Sequence, residues 1–156
     1  MLYDTIVVMD TLIQNKKVFL NYEITEKLDA GIVLNGFEVK ALRQKLGSLD
    51  GAYVTIRGGE AFLIGSYIPA YQEKNTPKEY DSKRNRKLLL TRAEILHLAG
   101  IEKEKGLTIV AISVYNSKSK KIKVSIGIAK GKKQYDKRQD LKKRDTEREI
   151  RREYAR

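Results

Sequence analysis

Three basic clusters are the residues of this chain best suited to chemistry with a partner: Asn15-Lys16-Lys17, Lys83-Arg84-Asn85-Arg86-Lys87 and Lys130-Gly131-Lys132-Lys133. Amines set beside phosphates release condensed counterions, which gives affinity for a polyanion and a steep dependence on salt. Nine tyrosines and no tryptophan add faces on which splayed bases can stack. The other candidate patterns fail on their own requirements. Gly127-Ile-Ala-Lys-Gly131-Lys-Lys has three residues between its glycines and Lys133 after Lys132, whereas a phosphate loop needs four, then Lys and Ser or Thr. His97 lies between Leu96 and Leu98 with no nucleophile motif near it. Glu102 and Glu104 interleave with Lys103 and Lys105, the pattern of a solvated ion-pair segment. There is no Gly-x-Ser-x-Gly, no His-Glu-x-x-His and no calcium loop. With no cysteine and one histidine, disulfides and thiolate metal sites are excluded, and little is left for a zinc site or a histidine-based catalytic centre. The sequence therefore names no catalytic residue, no metal ligand and no cofactor, and it reads as a binding protein rather than an enzyme.

The elements that must position these clusters fit one domain with a tail. The 156 residues carry 32 Lys+Arg against 20 Asp+Glu, a net charge of +12, and 41% of them are apolar. That is enough for a modest core and too much for a disordered chain. The charge points to a polyanionic partner. The first stretch, 1–14, is apolar at Ile6, Val7, Val8 and Met9, but it lacks a basic start and is interrupted by Asp4 and Asp10. It does not form a signal peptide, and no run reaches the length of a membrane span. The expectation is a soluble cytoplasmic protein whose N-terminal extension adds a strand or stays loose.

Along the body, 18–32 has strand character with a bend at Ala30-Gly31. Asn35 and Glu38 have capping-box spacing and predict a helix over 36–45, stopped by Gly47. A hairpin follows, 53–56 and 61–64 about Gly58-Gly59, its second strand continuing to Ile68 before Pro69. Residues 70–87 lack apolar periodicity and read as a long loop, functional or disordered. Thr91 and Glu94 form a second capping box and predict a helix over 92–99. A strand over 107–115 and an alternating strand over 122–129 form another hairpin. The tail, 130–156, holds 12 basic and 6 acidic side chains and is polar all round, with opposite charges such as Glu147 and Arg151 one turn apart. A helix of that kind cannot dock on its own core, so the tail is expected to be disordered alone and helical against a partner. The fold class is mainly β, a closed barrel of the OB type with two or three short helices and a basic C-terminal tail; a sandwich of the same strands is the alternative.

Several blocks together carry a resemblance. Gly36-Phe-Glu-Val-Lys-Ala-Leu-Arg43, Arg86-Lys-Leu-Leu-Leu90 and Gly127-Ile-Ala-Lys-Gly-Lys-Lys-Gln-Tyr-Asp-Lys-Arg138 occur in order with Asn15-Lys-Lys17, Ala30-Gly-Ile-Val-Leu34, Gly59-Glu-Ala-Phe-Leu-Ile64 and Lys105-Gly106-Leu107. From Asn15 to the C-terminus the chain resembles the SmpB family, the SsrA-binding proteins of bacterial trans-translation. The resemblance implies an OB-fold body over 15–130 that binds the tRNA-like domain of transfer-messenger RNA. It implies delivery of that RNA to stalled ribosomes, with EF-Tu and GTP engaged indirectly through the RNA and no membrane involved. It also implies a tail, 131–156, that becomes helical in the empty mRNA channel of the small subunit. Asn15, Asp29 and Leu89 match the family's RNA-binding positions, although the family often has Glu where Asp29 stands. Lys16, Lys17, Arg86, Lys87, Lys130, Lys132 and Lys133 complete the expected RNA-binding set. Tyr135, Asp136, Lys137 and Arg138 match the tail motif placed at the decoding centre. Two other readings stay open: a general RNA-binding or ribosome-associated OB protein, and an RNA-processing enzyme with carboxylates converging in a cleft.

Overall fold

The structure is a computed structural model that describes residues 10–155; Ile6, Val7, Val8, Met9 and Asp4 lie outside the described residues. The strands are β1 (Asp10–Gln14), β2 (Tyr22–Ile32), β3 (Tyr53–Arg57), β4 (Glu60–Ile64), β5 (Arg86–Leu89), β6 (Leu107–Asn116) and β7 (Ile122–Gly131). The helices are α1 (Val18–Asn21), α2 (Gly36–Arg43), α3 (Arg92–Glu102) and α4 (Gln134–Tyr154). Six strands close a ring in the order β6-β3-β4-β5-β2-β7, returning to β6, and β1 adds to the outer edge of β6. Every pairing is antiparallel. The protein is thus mainly β with four helices.

Alternation along the strands fills the inside of the ring. Ala30, Val54, Leu63, Leu88, Ile109, Val114 and Ile126 are buried there, joined by Ala41 and Leu42 of α2 and Leu98 of α3. β1 contributes Leu12 and Ile13 to the same core, so 10–14 is an integral strand, one of the two outcomes expected for the extension. Gly58 and Gly59, at φ 58° and 75°, make the turn of the β3–β4 hairpin, where both central residues must be left-handed.

Four local readings differ. Residues 18–21 form one helical turn rather than strand, because Leu20 and Asn21 N–H groups donate to the Lys17 carbonyl at 3.2 and 3.0 Å. That turn drops Val18 onto a second apolar cluster with Val110, Ile112 and Ala129 outside the ring. Ile112 shares the outer face with Val110 by strand alternation, and the β6 register shift between Ala111 and Ser113 then turns Val114 into the main core. β2 runs through Ala30-Gly31 without a bend, its register shift falling between Ile24 and Glu26. β4 ends at Ile64, followed by Gly65 at φ 80°. α3 runs past Gly100 to Glu102, whose carboxylate accepts from the Thr55 hydroxyl at 2.5 Å and the Ile56 N–H at 3.1 Å.

The tail forms the helix α4 over Gln134–Tyr154. None of the 21 residues of α4 is buried. Its order comes from strong helix formers and opposite charges a turn apart, not from a buried face.

Candidate nucleic-acid interface

The long loop before β5 is ordered from below. Glu38, on the first turn of α2, is wholly buried. It accepts from the Asn35 N–H at 2.8 Å, from the Tyr80 hydroxyl at 3.0 Å and from Arg86 Nε at 2.7 Å, and pairs with Arg84. Arg86 is also wholly buried. Its Nη1 donates to Ser66 Oγ at 2.9 Å and to the Ser66 and Arg84 carbonyls at 3.1 Å, and its Nη2 to the Tyr80 hydroxyl at 2.9 Å and the Ser82 carbonyl at 3.0 Å. Phe37 meets the Tyr80 ring edge-on at 4.6 Å between centroids. Burial by itself would raise the Glu38 carboxyl, but the Arg84, Asn35 and Arg86 hydrogen bonds outweigh it and hold the group below its ordinary value.

This corrects the expectation for Arg86. With no exposed surface and all its nitrogens engaged, it is a structural pin and cannot reach RNA. The signal was in the strand period: Leu88 faces the core, so Arg86 must face it too. Asn15 is corrected in the same sense. It is 5% exposed, and its amide donates to the Leu49 and Ala111 carbonyls at 3.1 and 3.2 Å. It fastens β1 to the body more than it faces a partner.

The remaining expected residues fall into two patches. At one end of β2, Leu89 lies opposite Gly31, and Gly31 lies opposite Lys123 of β7. A Cβ on Gly31 would come within 3.2 Å of Leu89 Cβ, so the bare glycine lets the leucine lie across the strand, 55% exposed. Asp29 is two residues along on the same face, opposite Ser125. It stands beside the Tyr115 hydroxyl, which burial first and the Asp29 carboxylate second push up above its ordinary value. Lys87, on the Leu89 face of β5, pairs with Glu60 at 2.9 Å. Next to Leu89 is a groove of about 340 Å³ bounded by Val39, Leu89, Arg43, Lys120, Lys121 and Lys123. Its cations were absent from the sequence expectation. Arg43 and the Lys120 turn are far apart in sequence and meet only through the Arg43 Nη2 bond to the Lys120 carbonyl at 3.5 Å.

The second patch is at the other end of β2, where Tyr22 lies opposite Gly131. Here Lys16 and Lys17 are exposed before α1, and Lys130 and Lys133 are exposed at the root of α4. Lys132 is turned inward: its Nζ donates to the Phe19 carbonyl at 2.8 Å and pairs with Asp140, and its N–H donates to the Asn21 carbonyl at 2.9 Å. Lys132 pulls the Asp140 carboxyl below its ordinary value. Along α4, Tyr135 is 70% exposed and Asp136 and Arg138 are exposed, with Lys137 partly covered. Tyr22 to Gly31 is about 30 Å of strand at about 3.3 Å per residue.

The rest of the surface offers little chemistry. His97 is half-exposed and bonds Glu26 at 3.0 Å. Among the described residues no group of three His, Cys, Asp or Glu side chains could hold a metal ion, and no helix is long and apolar enough to cross a membrane. Gly127 lies inside β7, not in a loop.

A ring of strands with an apolar-and-basic groove, and a second basic patch running into a solvated helix, is the surface of a polyanion-binding class of protein. The family model for SmpB protein matches residues 12–156. The chain is 47% identical over 145 residues to an SsrA-binding protein of Coprothermobacter proteolyticus, covering 93% of this chain and 97% of the relative. It is 45% identical over 142 residues to one of Azoarcus sp., covering 91% and 95%, and 48% identical over 137 residues to one of Acetivibrio thermocellus, covering 88% of each. A chain from the structure described as "tmRNA-SmpB: a journey to the center of the bacterial ribosome" superposes with a TM-score of 0.65 at 37% identity, covering 78% of this chain and 84% of that one. The chain belongs to the SmpB family of SsrA-binding proteins.

Proposed function

We propose that the protein binds the tRNA-like domain of transfer-messenger RNA and brings it to stalled ribosomes for trans-translation in the cytoplasm. The observation that carries this reading is the division of the basic surface into two patches at opposite ends of one strand. A patch that mixes an exposed leucine with four cations suits a folded RNA, where apolar side chains pack on sugars and bases while amines neutralise phosphates. A solvated helix about 30 Å long suits a narrow channel walled by phosphates. The ring then serves as an OB-type closed barrel, with Asp29, Lys87, Leu89 and the groove lysines on the transfer-messenger RNA side. Lys16, Lys17, Lys130 and Lys133 extend the basic track to the tail. Tyr135 stacks in the decoding centre, and Asp136, Lys137 and Arg138 fix the helix there as it follows small-subunit rRNA into the empty mRNA channel. EF-Tu with GTP is met only through the RNA.

Removing 131–156 tests this division. The shortened protein is expected to keep its affinity for transfer-messenger RNA within a few-fold in a gel shift and to lose peptide tagging on stalled ribosomes. Loss of RNA binding on truncation, or tagging without the tail, refutes the assignment. Equal competition by unrelated tRNA supports the broader RNA-binding reading instead.

A further inference from the structure

The tail helix does not leave the body freely. It passes α1, and between them is a cleft of about 360 Å³ whose lining includes Lys16 and Phe19 from the body and Arg144, Glu147, Arg148 and Arg151 from α4. The arginines are spaced to share one helical face, and that face is turned to Lys16. Four cations and one carboxylate therefore surround a single water-accessible space. Like charges facing across such a gap repel, and α4 buries no residue that would hold it in place. Among the described residues its root is tied to the body by Lys132, whose Nζ donates to the Phe19 carbonyl and whose N–H donates to the Asn21 carbonyl.

We infer that this cleft between α1 and α4 is a phosphate-binding site that joins the tail to the body when an anion occupies it. Guanidinium forks match phosphate oxygens in pairs, and a bridging phosphate turns the repulsion between Lys16 and the arginine face into mutual attraction to one ligand. The phosphate group can come from an RNA backbone or from the inorganic ion. This goes beyond the function proposed above, because it concerns the tail in the free protein. A phosphate at this site sets whether α4 lies on the body or is released.

The chain has no cysteine, so one nitroxide can be attached to the full-length protein through Tyr154→Cys, an 89% exposed position. Amide signals of Lys16 to Phe19 then report docking by their broadening. Inorganic phosphate is expected to broaden them more than sodium chloride of equal ionic strength, and a short single-stranded RNA is expected to do the same. Broadening by RNA alone assigns the ligand as a backbone phosphodiester; broadening by both assigns the phosphate group itself. The response is expected to be lost in Lys16→Ala and in Arg148→Ala, both exposed positions whose replacement leaves the core intact. Phosphate and RNA acting no differently from chloride, or variants responding like the parent, overturns the inference.

Discussion

Replacing Glu38 by Gln removes one charge from the buried network and almost no volume. What remains is Arg86, with no exposed surface, its Nε 2.7 Å from an amide that no longer neutralises it. Taking away one partner of a buried pair costs about 3–5 kcal/mol, because the surviving charge is stranded out of water. The loss at Arg84 is smaller, since its side chain is 29% exposed and can turn to solvent. Against a total stability of about 5–15 kcal/mol, the substitution should move a urea midpoint by about 1.5–2.5 M at an m value of about 2 kcal/mol/M. Acid supplies the second half of the test. The folded Glu38 carboxyl lies below its ordinary value of 4.5. Its stabilising contribution is therefore complete above the unfolded value and is withdrawn as pH falls through the lower folded one. The gap between parent and Glu38→Gln should be full at neutral pH and close in acid. A neutral-pH loss under about 1 kcal/mol, the size seen for exposed ion pairs, or a gap that does not close, refutes the argument that this network is a sealed support for the loop before β5.

Three further outcomes follow from the geometry. Leu89→Ala should lower transfer-messenger RNA affinity about tenfold, or 1.4 kcal/mol, while the melting temperature stays close to that of the parent, because more than half of that side chain is exposed; a large loss of stability would show Leu89 to be core instead. Gly127→Val should destabilise by about 1–3 kcal/mol in a thermal melt, since a Cβ there would meet Ile112 Cδ1 at 2.9 Å and Ile24 Cγ2 at 3.0 Å; an unchanged melt would mean that the outer cluster is loosely packed. Replacing Asp136, Lys137 and Arg138 by Ala together should leave RNA capture intact and stop peptide tagging, measured in a reconstituted translation reaction; normal tagging counts against their proposed place.

Most element types were legible, since they rest on local signals. The Thr91 and Glu94 capping box starts α3 where its spacing puts it, with mutual bonds of 3.1 and 3.2 Å. Paired glycines make the β3–β4 turn. The helical turn over 18–21 was not legible, because Val18-Phe-Leu carries β-like composition and the turn is favoured by packing of Val18 in the cluster of Val110, Ile112 and Ala129. The function of Arg86 was misread for a related reason. A basic run in sequence looks like a basic surface, yet a strand sends alternate residues to opposite sides, and this run enters β5 at Arg86. The groove beside Leu89 escaped notice because its cations come from α2, from the β6–β7 turn and from the start of β7, which the closed ring brings together.

That closure also explains how a short chain keeps two basic patches from merging into one. Net charge alone would favour any arrangement that spreads the cations evenly. Here the hydrogen-bonded ladder between β2 and β7 runs from Tyr22 opposite Gly131 to Gly31 opposite Lys123, and it puts about 30 Å of strand between the patches, against a Debye length of about 8 Å at physiological salt. Each patch therefore meets its anion nearly independently of the other. The strand register, more than the charge total, sets the two patches at opposite ends of β2.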